Sequence, residues 1–365
     1  MKFSPILNKL PDCSITVFSY IIKRLLLLIP TLLGILAITF AVIQLVPGGP
    51  VEQMAAQLTQ SQFGGEVSVS GSAWQKGARL SAEDLAQLNR IYGFDKPPLQ
   101  RFGDMLWRFL RFDLGESFFH HQTVLELIRA KLPVSMSLGL WTFFLTYLIC
   151  IPLGIAKAVN DGSRFDAASS LLILVGYAIP PFVLGLVLLV LFGGGSFWAW
   201  FPLGGLVSDG WSELSLWHKI TDYLWHIALP ITAMTAGNLA VMTVLTKNVF
   251  LEEIRRQYVY TARAKGLPER QILLRHVFRN ALIPLVTGFP AAFIGAFFTG
   301  SLLIETLFSL DGLGLLSYEA VIKRDYPVVM GTLYVFTLLG LLAKLLSDLS
   351  YAWIDPRIHF GGTSS

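Results

Sequence analysis

The stretch "YVYTARAKGLPERQILLRHVFRNALIPLV", Tyr258 to Val286, decides how this chain is read. In a sequence that is 54% hydrophobic and only 14% charged, basic side chains return here again and again: Arg263, Lys265, Arg270, Arg275, His276 and Arg279. Lys247 to Arg279 carries eight basic residues against Glu252, Glu253 and Glu269, a net +5, whereas the whole chain is +4. The remainder is therefore near neutral, and the charge belongs to one place. Gly266 suits the residue just past a helix end, and Pro268 suits the first turn of the next helix with Glu269 at its positive terminus. The pattern predicts a helix, a sharp break at "GLP", and a second helix. In that second helix Gln271, Arg275 and Arg279 recur every four residues, with Leu274, Val277, Phe278 and Ala281 elsewhere, which predicts an amphipathic segment lying along a membrane surface. Before the break, the small residues Ala262, Ala264 and Gly266 leave the backbone open to a close neighbour. A helix touching only lipid would need large apolar anchors, which "TARAKG" lacks. The stretch reads as a docking element for a cytoplasmic protein.

Working outward, a mean hydropathy of +0.60 places the chain among polytopic membrane proteins. Leu25 to Val46 contains no ionisable side chain, and at roughly 1.5 Å per residue it covers the bilayer core of about 30 Å. The run exceeds a signal-peptide apolar region and ends in "VPGGP" with no small-residue cleavage site, so it is read as an anchor. Cys13 and Cys150 imply no disulfide framework. Six segments, at about 21–46, 134–157, 169–192, 227–247, 283–304 and 328–350, meet the length and charge criteria for spanning helices. The expected organisation is an all-α polytopic membrane protein. It comprises an N-terminal extension (1–19), a first transmembrane helix (20–47) and a small, mainly helical external domain (48–133). A transmembrane core follows (134–350), with a cytoplasmic loop at 248–282 and a tail at 351–365. Lysine and arginine crowd the fourth loop, while Ser196–His226 offers Lys219 and Glu305–Pro327 offers Lys323 and Arg324. Both termini are then cytoplasmic and the 48–133 domain lies outside.

Several constellations have both a bland and a sharp reading. Gly288, Ala292, Ala296 and Gly300 form a small-residue stripe that serves either packing within the subunit or a seam with a partner subunit. Glu305, Asp311, Glu319, Arg324 and Asp325 are either a solvated loop or a charged outer rim meeting substrate or a delivery protein. Lys344 and Asp348, one turn apart, are expected to pair with each other. The aromatics Phe197, Trp198, Trp200 and Phe201 suit a membrane interface. The six histidines form no spaced ligand set, so no metal is expected. The span centres lack the ionisable groups by which ion-coupled transporters bind their driving ion, and no nucleophile, base or ligand set converges as an intramembrane enzyme requires. There is no phosphate-cradling G-x-x-x-x-G-K-[ST], and the positive charge is read as a membrane-protein feature, not as a nucleic-acid patch.

"YTARAKGLPERQILLRHVFRNALIP" resembles the coupling-loop motif of binding-protein-dependent ABC importer permeases, in their dipeptide, oligopeptide and nickel branch. The likeness runs from Tyr20 to about Phe360, through "YGFDKPPLQRFGDMLWRFLRFDLGES", "LPVSMSLGL", "FSLDGLGLLSYEAVIKRDYPVVMG" and "SYAWIDPRI". The general motif begins Glu-Ala-Ala where Tyr260, Thr261 and Ala262 stand; Gly49 replaces a common acid, and Asp311 a common proline. These departures resemble the Yej-like subgroup of peptide and microcin C importers. The resemblance implies a type I importer fold of six transmembrane helices in a bacterial inner membrane. It implies a coupling loop at Tyr260, Thr261, Ala262, Arg263, Ala264, Lys265, Gly266 and Leu267, assisted by Arg275 and His276, gripped by a separate ATPase that binds ATP and magnesium. It further implies a homologous second permease, an extracytoplasmic substrate-binding protein and a peptide substrate; a permease for a non-peptide substrate such as nickel is the alternative.

Overall fold

The computed structural model describes residues 12–45, 95–193, 197–297 and 301–354. The described residues are helices and their connections, with one isolated bridge between Glu116 and Thr123. Helix α1 is Asp12–Leu45 and α2 is Pro98–Phe109, which has Pro98 in its first turn. The helix expected from "SAEDLAQLNRIYGF" lies outside the described residues, as do residues 1–11, most of the external domain and residues 355–365. The rest of the expected extension, 12–19, is helical and belongs to α1, and residues 351–354 of the expected tail continue the last helix, Tyr326–Ile354.

Helix α3, Val124–Val159, begins ten residues before the expected 134 and runs through Pro133 and Pro152. Its start is a capping box: the Glu126 N–H donates to the Thr123 hydroxyl at 3.3 Å, and the Thr123 N–H donates to the Glu126 carboxylate at 3.0 Å. The outer boundary expected at 133 therefore falls inside a helix.

The third expected span is not straight. Helices α4, Arg164–Ala178, and α5, Pro181–Phe192, meet at 94°. Ile179 is extended, with φ −89° and ψ 119°, as a residue before proline must be, and Pro180 and Pro181 bring no N–H to continue the ladder. Among the described residues, five helices are long and apolar enough to cross a bilayer, or six spans when the bent pair counts as one.

Helix α6, Leu216–Ile254, has 39 residues, and at roughly 1.5 Å each it outreaches a bilayer core of about 30 Å. Helix α7 is Gln257–Ala264. Next comes α8, which starts as Glu269–Gln271, passes through a π-helical stretch at Ile272–Val277, and continues as Phe278–Phe297. Short helices α9, Leu302–Leu307, and α10, Leu313–Lys323, lead into α11, Tyr326–Ile354.

The chain divides into two compact units, one made of 26–130 with 316–338 and the other of the rest. In the first unit, Phe109 and Phe112 flank Tyr334, at 5.0 and 6.2 Å between ring centroids. Two buried cores are seen among the described residues of the second unit. One gathers Leu138, Ile227, Ile231, Met234, Ile304 and Phe308. The other gathers Phe250, Val259, Ala262, Ile272, Val277 and Leu285, and it lies directly under the opening stretch. Helices in this unit approach closely through small residues: a Cβ on Gly139 would stand 1.7 Å from the Ala296 carbonyl oxygen. Asp348 forms an ion pair with Arg24 at 2.8 Å, joining the last helix to the first; Lys344, its expected partner, is exposed.

Candidate coupling site

Helix α7 ends in a Schellman motif. Gly266 has φ +78°, its N–H donates to the Arg263 carbonyl at 2.9 Å, and the Leu267 N–H donates to the Ala262 carbonyl at 3.3 Å. Leu267 turns back onto the core beneath, as that motif favours. Pro268 then opens α8, and the Arg263 guanidinium closes on the Glu269 carboxylate through two contacts at 2.5 and 3.1 Å, bracing the elbow across its break. Arg263 also lies 5.9 Å from the Tyr260 ring centroid.

The elbow has an outer and an inner side. Tyr260, Thr261, Arg263, Ala264, Lys265 and Gly266 are exposed, and nothing stands within 4 Å of the place a Gly266 Cβ would take. Ala262, expected among the small residues open to a partner, is instead 7% exposed and packs inward beside Val259, because residues three apart share one helix face. The expected surface helix is also different. Residues 269–297 form one rod continuous with a spanning helix, and the wider π turn shifts its register. Ile272, Val277 and Ala281 are therefore buried and Arg275 and Arg279 exposed, while Gln271 and His276 are half-buried. Between Ala158, Val159, Ile254, Val259 and Leu273 lies a cavity of about 350 Å³ that Arg263, Glu269 and Arg270 also border.

Sequence reasoning missed a charge network under this elbow. Lys157, near the end of α3, has a side chain only 1% exposed and faces Asp166 at 3.0 Å. Lys247, on α6, meets Asp166 at 2.7 Å and Asp161 at 2.9 Å. The sequence signal for it is two acids and two bases within 157–166: Lys157, Asp161, Arg164 and Asp166.

The other expected sites come out differently. Gly288 and Ala292 are exposed, Ala296 is buried against Gly139, and Gly300 lies outside the described residues. Phe289 and Phe293 stack beside this stripe, 7° from parallel, and an apolar cavity of about 560 Å³ adjoins Phe289, Tyr147 and Leu282. Two rim candidates are not a rim. Glu305 is fully buried; its carboxylate accepts from the Leu315 N–H at 2.7 Å, the Ser301 N–H at 3.2 Å and the Ser135 hydroxyl at 3.3 Å. Asp325 is 1% exposed and accepts from the Phe118 N–H at 3.1 Å and the Ser117 hydroxyl. Burial raises both carboxyls above the ordinary carboxylate range. The physical reason is that helix starts and tight turns leave backbone N–H groups without helical partners, and these acids accept from them. Asp311 is exposed and paired with Lys131, Glu319 pairs with Lys323 at 2.7 Å, and Arg324 is half-buried at φ +56°.

Comparison with known proteins decides the family. Residues 150–360 match the model of the binding-protein-dependent transport system inner membrane component. The chain belongs to this family. It is 54% identical to the peptidoglycan transport system permease protein YejB of Agrobacterium fabrum, across 94% of this chain and 98% of that one. It is 52% identical to the inner membrane ABC transporter permease protein YejB of Escherichia coli O157:H7, across 94% and 99%. It is 32% identical to the dipeptide transport system permease protein DppB of Escherichia coli K12, across 93% and 98%. The chain is thus a multi-pass inner-membrane permease subunit of an ABC import system, and that family works with an ATPase and a binding protein.

Proposed function

We propose that this permease forms half of the import pathway for peptides or peptide-bearing compounds, and that its ATPase partner engages the exposed elbow Tyr260–Leu267. The observation that carries the docking assignment is the Schellman turn at Gly266. It presents Ala264 and Gly266, two residues with almost no side chain, on a face otherwise made of Tyr260, Thr261, Arg263 and Lys265. Close backbone approach is possible there, and the surrounding charge is basic, so an acidic partner surface is favoured. Behind the elbow is a packed core, not a loose loop, which suits the passing of motion.

The substrate class rests on the names of the relatives, which span peptidoglycan and dipeptide transport. These favour a peptide-bearing compound over nickel. In this reading a homologous second permease completes the pathway, with Gly288 and Ala292 on the exposed stripe available to a seam. ATP and magnesium bind to the ATPase subunit, and an extracytoplasmic protein delivers the substrate. In the same reading the elbow and both termini are cytoplasmic, which the lysine and arginine bias supports.

The test is reconstitution. In liposomes with the second permease, the ATPase and loaded binding protein, peptide uptake is expected on addition of ATP. The permease alone is expected to move none under ATP or a proton gradient. Gradient-driven uptake by the single subunit would overturn the reading.

A further inference from the structure

Beneath the elbow, three helices are joined by buried charge where apolar packing would serve. The Lys157 ammonium donates to the Asp166 carbonyl at 2.8 Å, to the Ser169 hydroxyl at 2.9 Å and to the Ser170 hydroxyl at 2.7 Å, and it faces the Asp166 carboxylate at 3.0 Å. Asp166 also accepts from the Gly162 N–H at 3.2 Å and from Lys247 at 2.7 Å. Lys247 reaches Asp161 at 2.9 Å, and the exposed Arg255, between α6 and α7, reaches the same carboxylate at 3.4 Å. The end of α3, the start of α4 and the last turns of α6 therefore converge on two carboxylates, Asp161 in the α3–α4 connection and Asp166 in the first turn of α4, and the far end of α6 leads straight into the elbow.

A lysine kept only to mark the cytoplasmic side would extend its ammonium into water along an exposed face. This one is sealed. Burying charges costs desolvation, and well-packed apolar residues of similar volume are often as stable or more so. What such a network does supply is a restricted geometry, because a slip of one helix would part Lys157 or Lys247 from Asp166 and leave a buried charge unpaired.

We propose that Lys157, Asp166 and Lys247 are positioning residues of coupling, a clasp that makes the elbow and the α3–α4 connection move as one body when the ATPase pulls. The inference rests on the elbow being the ATPase site.

The test uses the complete complex in proteoliposomes and reads ATPase stimulation by loaded binding protein, peptide uptake, membrane level and ATPase copurification. Three variants are compared: the double variant Lys157→Met with Asp166→Leu, which removes charge but keeps apolar volume; Lys247→Gln; and the conservative Lys247→Arg. The first two are expected to reach the membrane and retain the ATPase while stimulation falls on the order of tenfold, within the 5–150-fold span usual for coupling between sites. Lys247→Arg is expected to keep stimulation. The inference is overturned if the first two keep stimulation. It is equally overturned if stimulation falls only in step with membrane level or copurification, or if Lys247→Arg loses it as fully as Lys247→Gln, for then the network is only a structural staple. Gly266→Val separates the two readings: if it loses stimulation while the clasp variants keep it, only the clasp falls; if it keeps stimulation, the elbow assignment falls first.

Discussion

Replacing Gly266 by valine loads a known cost onto one exposed turn. A Cβ there would meet nothing within 4 Å, so no clash arises and the whole penalty is conformational. Holding a β-branched residue at φ +78° costs about 1–2 kcal/mol, since Cβ crowds the following carbonyl. The chain can instead relax and give up the Gly266–Arg263 and Leu267–Ala262 hydrogen bonds, at 2.9 and 3.3 Å; these are worth roughly 0.5–1.5 kcal/mol each, a similar sum. On either route the native elbow loses a factor of about 5–30 in population. The spanning helices and their cores are untouched, so Gly266→Val is expected at normal membrane level. Peptide uptake and the ATPase response to loaded binding protein are expected to drop steeply. Gly266→Asn is expected between wild type and valine, because asparagine tolerates the left-handed region. Ala264→Asp is expected to act like valine through bulk and charge, and Gln271→Ala to be nearly silent. An elbow that merely anchored to lipid would give another order, with Arg275 or Arg279 mattering most. Uptake and stimulated ATPase activity at matched membrane levels decide it: if Gly266→Val and Ala264→Asp keep both, the elbow does not couple.

Three further outcomes are expected. Gly139→Val drives a side chain into the Ala296 carbonyl and is expected to cost about 1–3 kcal/mol by overpacking, visible as a lower melting temperature in detergent, whereas Gly288→Val, facing open space, is expected to leave it unchanged; equal effects would refute the packing assignment. Single cysteines in a background lacking Cys13 and Cys150 are expected to react with an impermeant thiol reagent in whole cells at Ser212 and to stay unlabelled at Gln257; labelling at Gln257 would reverse the orientation. Burial raises the Asp325 carboxyl, so the folded state holds its proton at a pH where the unfolded chain has released it. The stability this contributes is fully present below the ordinary aspartate value and is lost as pH rises through the raised one. Asp325→Asn is expected to flatten that loss in a thermal-stability series, and an unchanged pH slope would rule the group out.

What was legible in the sequence followed from rules that act locally. The break at "GLP" rests on glycine's access to positive φ and proline's missing N–H, and both stand in the structure. The capping box Thr123–Glu126 was equally legible, yet Pro133 drew the helix start ten residues too late; proline inside a helix is tolerated in membrane proteins because neighbours satisfy the freed carbonyl. The bend at Ile179–Pro181 was written in two consecutive prolines, but hydropathy averages over a break of that kind. The π turn at Ile272–Val277 had no sequence signature in a four-residue repeat, and so a surface stripe was expected where the register actually slips. Burial of Ala262 and pairing across 157–166 depend on what packs above, which no local pattern encodes.

The acids carry the last point. Glu305, Asp325 and Asp166 lie far apart in sequence, yet each sits where a helix begins or breaks, and each accepts at least one backbone N–H. Away from water those N–H groups have no other partner, so in a chain this apolar a carboxylate is first a substitute for solvent. That is why Glu305 and Asp325, readable from the sequence as a substrate rim or a solvated loop, are instead internal pins. Glu269 is the informative exception: it too stands at a helix start after a break, but it is exposed and its carboxylate goes to Arg263, a side chain. The break at Gly266 thus needs no internal pin, because it faces water. Under the proposed docking of an ATPase, this is the property the elbow needs: its break is held by an exposed pair of side chains and is open to a partner surface.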